Sequence, residues 1–481
     1  MIRSNIYPII RPSDAVAWSE CIRRVWLDNK GELDHEQTED AFDQLVKDRG
    51  LKHEQQVLKL LHEEYDVQEA TSVEHTQLLI AQETEVIYQA QLKNDDEGFI
   101  GYPDFLIRNK SGEYQPADAK LSLSEKKKSI QIQLGFYRKQ LGVELPAIVF
   151  LGDGSKAEIG DEANKITEKF INEMRLLLAD KQEPSVRYSH SKCSTCPYHD
   201  YCKPKFEAKE ELSLIYGIQG RAAEGLEKIG IKSITELANI NYENLPDVPY
   251  LKGSLKKKRA VFQAQAYLDG SIHKIAPINL PKGTWIHFDI EDYALTMDGN
   301  KHVYLWGFLV SSSSGNEFEY VWTDKEDEDK RGWIAFLKMI EKYRSIYNDL
   351  VLAHFSQHER STIRLYAERY DMLENETVAY LLGQDSPLFD MQKPVLESLV
   401  LPIQSYGLKD ICKHPELVNF QWQDADSNGA WSIVKYDHFL NEKDVVRREI
   451  LKKEILMYNK DDVKATLRLE EWLRSDELNK N

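Results

Sequence analysis

The sequence predicts a multidomain α/β protein, and three observations carry that prediction. The chain has 481 residues, more than one ordinary domain holds. Strand-like and helix-like patterns alternate in two separate stretches, 1–207 and 279–481, parted by a helical segment over 208–278. Hydrophobic residues make up 42% of the chain, enough for real cores, while 30% are charged and the mean hydropathy is −0.53. No apolar run approaches the length of a membrane span. The N-terminus lacks the basic segment and apolar stretch of a signal peptide, so the reading is a cytoplasmic protein with no membrane partner. The formal charge of −18 argues against a protein that coats DNA. It does not argue against a nuclease, whose metal sites are themselves acidic.

The first stretch opens with a helical pattern over 40–65. The segment "GYPDFLIRNKSGEYQPADAK", 101–120, then reads as a β-hairpin, with turn residues Asn109 to Gly112 between two strand-like runs. A helix follows near 129–141 and a strand at "PAIVFLG". The middle stretch, "GIQGRAAEGLEKIGIKSITELA", places a Gly-x-x-Gly turn, Gly217 and Gly220, among helices. A basic cluster follows it, Lys256, Lys257, Lys258 and Arg259. The last stretch supplies strands at "WIHFDIE", "HVYLWGFLV" and "FEYVW", a helix at "GWIAFLKMIEKY", a strand at "DLVLAHF" and further helices. The run "KEDEDKR" at 325–331 reads as a solvated loop.

Two groups of charged residues point to chemistry. The hairpin carries Asp104, Asp118 and Lys120 where a half-buried sheet would take apolar side chains. Burying such groups unpaired costs roughly several kcal/mol, so a divalent ion between the carboxylates explains them. Mg²⁺ or Mn²⁺ held there would polarise a phosphodiester, with Lys120 orienting the attacking water. His53, on the upstream helix, could complete the metal shell; an ordinary helix histidine is the competing reading. Gln133 and Tyr137 share a helical face at i, i+4 and could serve the site or simply an interface. In the second group, alternation along "WIHFDIEDY" brings Asp289 and Glu291 to one face. Glu359 follows the strand "LVLAHF", and Tyr458 and Asp462 stand at i, i+4 near the C-terminus. Four carboxylates so distributed can assemble a two-metal site. Asp390 reads as a supporting aspartate, and Lys409, in "SYGLKDI", as a group able to meet phosphate.

The five cysteines include a C-x2-C-x5-C cluster, Cys193, Cys196 and Cys202. In a cytosolic chain this spacing suggests a metal or iron–sulfur site. A fourth ligand is required, for which Cys21 and Cys412 compete, with His190 and His199 nearby in sequence.

The ordered set from G-x-x-H through P-D, D-x-K, Q-x-x-x-Y and C-x2-C-x5-C resembles the RecB-type PD-(D/E)xK nucleases that carry an iron–sulfur cluster. That resemblance covers 1–207. It implies a restriction-endonuclease-like fold, Mg²⁺ or Mn²⁺ on His53, Asp104 and Asp118, and catalytic roles for Lys120, Gln133 and Tyr137. It also implies a [4Fe–4S] cluster on Cys21, Cys193, Cys196 and Cys202, deciding against Cys412, with structural zinc as the alternative. The middle stretch resembles a helix-hairpin-helix element, whose turn amides would meet a nucleic-acid backbone beside the basic cluster at 256–259. Residues 279–481 resemble the DEDD 3′–5′ exonucleases with an RNase-H-like fold. Asp289, Glu291, Glu359 and Asp462 would hold metal and Tyr458 would orient water; Glu359 departs from that superfamily's usual aspartate. The fusion of all three resembles one family of RecB-like nucleases joined to an exonuclease domain. It implies a metal-dependent DNA nuclease acting on single strands or free ends, in repair or in defence against foreign DNA. RNA or RNA–DNA hybrids are the alternative substrate, and a nucleic-acid-binding scaffold with degenerate sites the alternative class. No G-x-x-x-x-G-K-[ST] stretch occurs, so unwinding would fall to a helicase partner.

Overall fold

The structure is a computed structural model that describes residues 7–30, 41–294, 300–312, 315–423 and 429–479. It divides into two compact units, the first holding the described residues up to Val186 together with Asn300, the second the others from Arg187 onward. The segment carrying Cys193, Cys196 and Cys202 therefore goes with the second unit, although its composition continues the first stretch. Arg187 ties it there, pairing with Glu227 at 2.6 Å and Glu211 at 3.2 Å. Tyr188 packs edge-on against Phe206 within the same segment.

The first unit is built on a six-stranded sheet in the order Val67–Glu69, Val86–Tyr88, Phe105–Arg108, Tyr114–Lys120, Ala147–Leu151, Lys156–Ile159. Phe105–Arg108 and Tyr114–Lys120 pair antiparallel as the expected hairpin, while Tyr114–Lys120 and Ala147–Leu151 run parallel. The parallel step needs a crossover, which the helix Lys128–Leu141 supplies. The long helix Ala41–Glu64 lays Val57 and Leu61 on the sheet beside Phe105 and Phe150. Phe99, Phe136 and Phe170 fill a second core. Asp104 lies just before its strand rather than on it.

The second unit begins with short helices. Gly217 and Gly220 take left-handed φ values of 80° and 43° and lead into the helix Arg221–Lys228. A 3-10 turn, Leu212–Leu214, stands directly before that turn, between it and the helix His199–Glu207. Ser233 and Glu236 form a capping box that starts Ile234–Ala238. The basic cluster sits in the first turns of Ser254–Asp269.

A five-stranded sheet follows, in the order Gly315–Trp322, His302–Ser312, Thr284–Tyr293, Leu350–His354, Leu388–Asp390. The first three strands are antiparallel and the last two join in parallel. Trp306, Phe308, Trp333 and Phe336 pack one face, with the Trp306 and Phe336 rings 4.1 Å apart. The 29-residue helix Val445–Leu473 crosses the other face over strands Thr284–Tyr293 and His302–Ser312. The run at 325–331 is not a solvated loop: a 3-10 turn, Glu326–Glu328, feeds the helix Asp329–Ile346. Asp329 is buried there because His302, Tyr370 and Arg369 reach its carboxylate at 2.6 to 2.8 Å, joined by the Tyr366 hydroxyl. Among the described residues, no helix is long and apolar enough to cross a membrane.

Candidate active site

In the second unit the strand Thr284–Tyr293 presents Asp289 and Glu291 on one face, and the crossing helix brings Asp462 to them. Ligand oxygens of these three carboxylates lie within 4.8 Å of one another. Among the described residues, no other set of three or more His, Cys, Asp or Glu side chains comes within that reach. Burial raises all three pKa values, and repulsion within the group adds to the rise at Asp289 and Glu291. Asp289 rises well above the usual range, driven by burial and then by Asp462, Glu291 and Glu359. Glu291 is pushed up to about 8 by burial and Asp462. Asp462 reaches about 6, its burial offset by Lys409, Trp422 and Tyr458.

Hydrogen bonds fix these groups. Asn459 Nδ2 donates to Asp289 at 2.7 Å and to Glu291 at 3.2 Å. Trp422 Nε1 donates to Asp462 at 2.7 Å. Tyr458 hydrogen-bonds Asp462, and Lys409 Nζ stands 3.3 Å from the Tyr458 hydroxyl. Burial works against the Lys409 charge and lowers its pKa. Glu359 is buried and in electrostatic range of Asp289, but His354 Nδ1 engages it at 3.1 Å and it stands outside the group of three. Asp390 accepts the Ser356 and Gln392 amides and the Gln357 side chain, all at 2.9 Å, which makes it a loop anchor.

The hairpin residues of the first unit are arranged differently. Asp118 is buried and pairs with Lys120 at 2.9 Å. The Asp104 amide donates to Asp118 Oδ1 at 3.1 Å, and Asp104 Oδ2 accepts the Ala119 amide at 2.8 Å. Burial, then Asp118, raises the Asp104 pKa well above normal. For Lys120, burial opposes the charge, but Asp118 and Asp104 outweigh it and raise the pKa. His53 is buried with Nε2 3.1 Å from the Phe150 carbonyl oxygen, so that nitrogen is engaged with backbone. Tyr137 donates to the Tyr102 carbonyl at 3.1 Å, and half-buried Gln133 lies one turn before it.

The cysteines occupy short helical elements. Cys21 separates the helices Asp14–Glu20 and Ile22–Lys30 of the first unit. In the second unit, Cys193 ends His190–Cys193, the Cys196 amide donates to its carbonyl at 3.1 Å, and Cys202 lies in His199–Glu207. The Ser189 amide donates to Cys193 Sγ at 3.4 Å. Cys412 is buried, its thiol directed at the Ala465 carbonyl. Of the basic cluster, Lys256 is exposed and Lys257 pairs with Asp247 at 2.6 Å. Lys258 lies over the Phe262 ring, and Arg259 donates to the carbonyls of Leu396 and Leu399. The Arg259 guanidinium therefore ties two segments of its own unit together.

Three participants escape a sequence reading. Glu54 accepts Tyr88 at 2.8 Å and Gln89 at 2.6 Å, and its charge acts on Asp104 and Lys120. Its position directly after His53 was the available signal. Asn459 directly follows Tyr458 on the same helix, whereas Trp422 carries no local sign that it meets Asp462.

Comparison with known proteins agrees with the second unit. The family model of the RNase H superfamily matches residues 286–474, the stretch that contains all three clustered carboxylates. Those residues are an RNase-H-like domain, and a nuclease is the activity this match supports. No curated protein matches the chain. A solved structure titled "Crystal structure of SSO0001" aligns with 43% of this chain and 89% of its own at 16% identity. Its TM-score of 0.22 is too low for the likeness to carry an argument.

Proposed function

We propose that this protein is a Mg²⁺- or Mn²⁺-dependent nuclease that hydrolyses DNA phosphodiester bonds from free ends. The observation that carries the reading is the convergence of Asp289, Glu291 and Asp462 within an RNase-H-like domain. The donors fit a hard divalent cation: they are all carboxylate oxygens, and their raised pKa values mark a site where negative charge is only partly offset, by Lys409. A bound ion would supply Lewis acidity toward the phosphate and lower the pKa of an attacking water. Around it, Tyr458 would orient that water and Lys409 would offset charge developing on the phosphate. Glu359, released from His354, would add the fourth carboxylate of a two-ion arrangement.

Asp104, Asp118 and Lys120 would form a second nuclease site in the first unit, with His53, Gln133, Tyr137 and the neighbouring Glu54. The cysteine spacing, with an amide already donating to Cys193 Sγ, supports a thiolate cluster site. The reading assigns it a [4Fe–4S] centre on Cys21, Cys193, Cys196 and Cys202. The exposed Lys256 is the member of the basic cluster best suited to a nucleic-acid backbone. The test is cleavage of 5′- and 3′-labelled single- and double-stranded DNA and RNA with Mg²⁺ or Mn²⁺, comparing wild type, Lys120→Ala and Asp289→Ala. Stepwise shortening of 5′-labelled strands with release of the 3′ label, both lost in Asp289→Ala, is the expected result. Cleavage of RNA alone would move the substrate assignment, and no cleavage by any form would support a scaffold.

A further inference from the structure

One fully buried side chain beside the carboxylates has a bonding pattern that packing does not explain. Asn459 gives its amide hydrogens to Asp289 Oδ2 and Glu291 Oε1, yet its own Oδ1 is buried with no hydrogen-bond partner. An unsatisfied buried carbonyl is destabilising, because it has given up its hydrogen bonds to water without replacement. Reversing the amide would be worse, since it would set that oxygen against two carboxylates. The room for it comes from Gly307, which lies directly across from Asp289 in the strand register. A Cβ at Gly307 would stand 1.8 Å from Asn459 Oδ1 and 3.0 Å from its Cγ, so any other residue there would push the amide off the carboxylates. The donor is also neutral. It orients the carboxylates without cancelling the charge a cation needs, unlike Lys120 beside Asp118.

We propose that Asn459, seated over Gly307, is a positioning residue that holds Asp289 and Glu291 in their ion-binding orientation. The proposal rests on reading Asp289, Glu291 and Asp462 as a divalent-cation site. Removing the outer hydrogen-bond partners of metal ligands weakens affinity by about 10- to 100-fold. The test follows Mn²⁺ binding to the full chain through the paramagnetic resonance of free Mn²⁺. The component lost in Asp462→Asn is taken as that of the cluster. Asn459→Ala and Gly307→Ala should each weaken this component by about 10- to 100-fold. The double variant should bind no more weakly than Asn459→Ala, because no amide remains to displace. Asn459→Leu keeps the volume and removes the orphaned oxygen. It also removes the two donated hydrogen bonds, so it should melt above the cavity-forming Asn459→Ala without metal yet bind Mn²⁺ as poorly, a split that a purely structural residue would not give. Wild-type affinity in both Asn459 variants, with binding lost in Asp462→Asn, would overturn the positioning role and leave the cation site standing. Unchanged Mn²⁺ binding in Asp462→Asn would overturn both.

Discussion

In the first unit the buried Asp118 meets a lysine at 2.9 Å, and His53 is occupied by a backbone carbonyl. In the second unit, Asp289, Glu291 and Asp462 face one another, with neutral Asn459, Trp422 and Tyr458 as their hydrogen-bond partners. Lys409 stands behind the Tyr458 hydroxyl. The hairpin gives Asp118 a cation of its own in Lys120, although Asp104 and Glu54 leave the group net acidic. The carboxylate cluster carries repulsion that protons or a cation must relieve. The two groups thus differ in how their carboxylates are offset: a direct ion pair with Lys120 in the first, neutral donors and the more distant Lys409 in the second.

Variants of the cluster should break this contrast most severely. Asp462→Asn removes a ligand and should reduce exonucleolytic cleavage by about 10³-fold or more in a labelled-end assay, since each tenfold is about 1.4 kcal/mol of lost transition-state stabilisation. In the hairpin, Lys120→Met should destabilise the first unit by about 3 kcal/mol, because Asp118 is left buried and unpaired. Denaturant unfolding measures this, and added Mg²⁺ should recover part of the loss if Asp104 and Asp118 then share the ion. A full loss that Mg²⁺ leaves untouched would reduce the hairpin charges to a structural role.

The carboxylate cluster should also respond to pH. Folded-state pKa values of about 8 for Glu291 and about 6 for Asp462 lie above those of unfolded carboxylates. Protons thus bind the folded form more tightly. The stability they confer is complete below the unfolded values and is lost as pH rises through about 6 to 8. Melting followed with and without Mg²⁺ should show a larger gain at about pH 8.5 than at about pH 5.5, because at low pH protons already occupy the oxygens. An equal gain at both would separate the bound ion from these carboxylates. The smallest effect belongs to Cys412→Ala, which should cost about 1 kcal/mol and leave iron content and cleavage unchanged. In contrast, if the proposed iron–sulfur cluster is present, anaerobically purified protein should absorb visible light and Cys196→Ala should not; stoichiometric zinc without iron would replace the proposed cluster by a zinc site.

The sequence was most readable where pattern and period coincide. Alternation in "WIHFDIEDY" placed Asp289 and Glu291 on one face, and helical spacing tied Tyr458 to Asp462. Their convergence follows from the helix Val445–Leu473 crossing the sheet, a long-range packing that no local pattern shows. The run at 325–331 misled because its charges read as solvation, while Asp329 finds its partners on residues far along the chain. Asn459 and Trp422 were illegible for the same reason: their roles depend on a glycine and a carboxylate brought close only by folding. The Arg259 guanidinium looked like a phosphate ligand because sequence cannot show the carbonyls that take it.

The central claim is that Asp289, Glu291 and Asp462 hold a divalent cation. Anomalous diffraction from crystals soaked in Mn²⁺ tests it most directly. A manganese peak bridging the three carboxylates, absent from Asp462→Asn crystals, is the predicted result. Saturating Mn²⁺ that leaves no peak between them, while other sites fill, would contradict it.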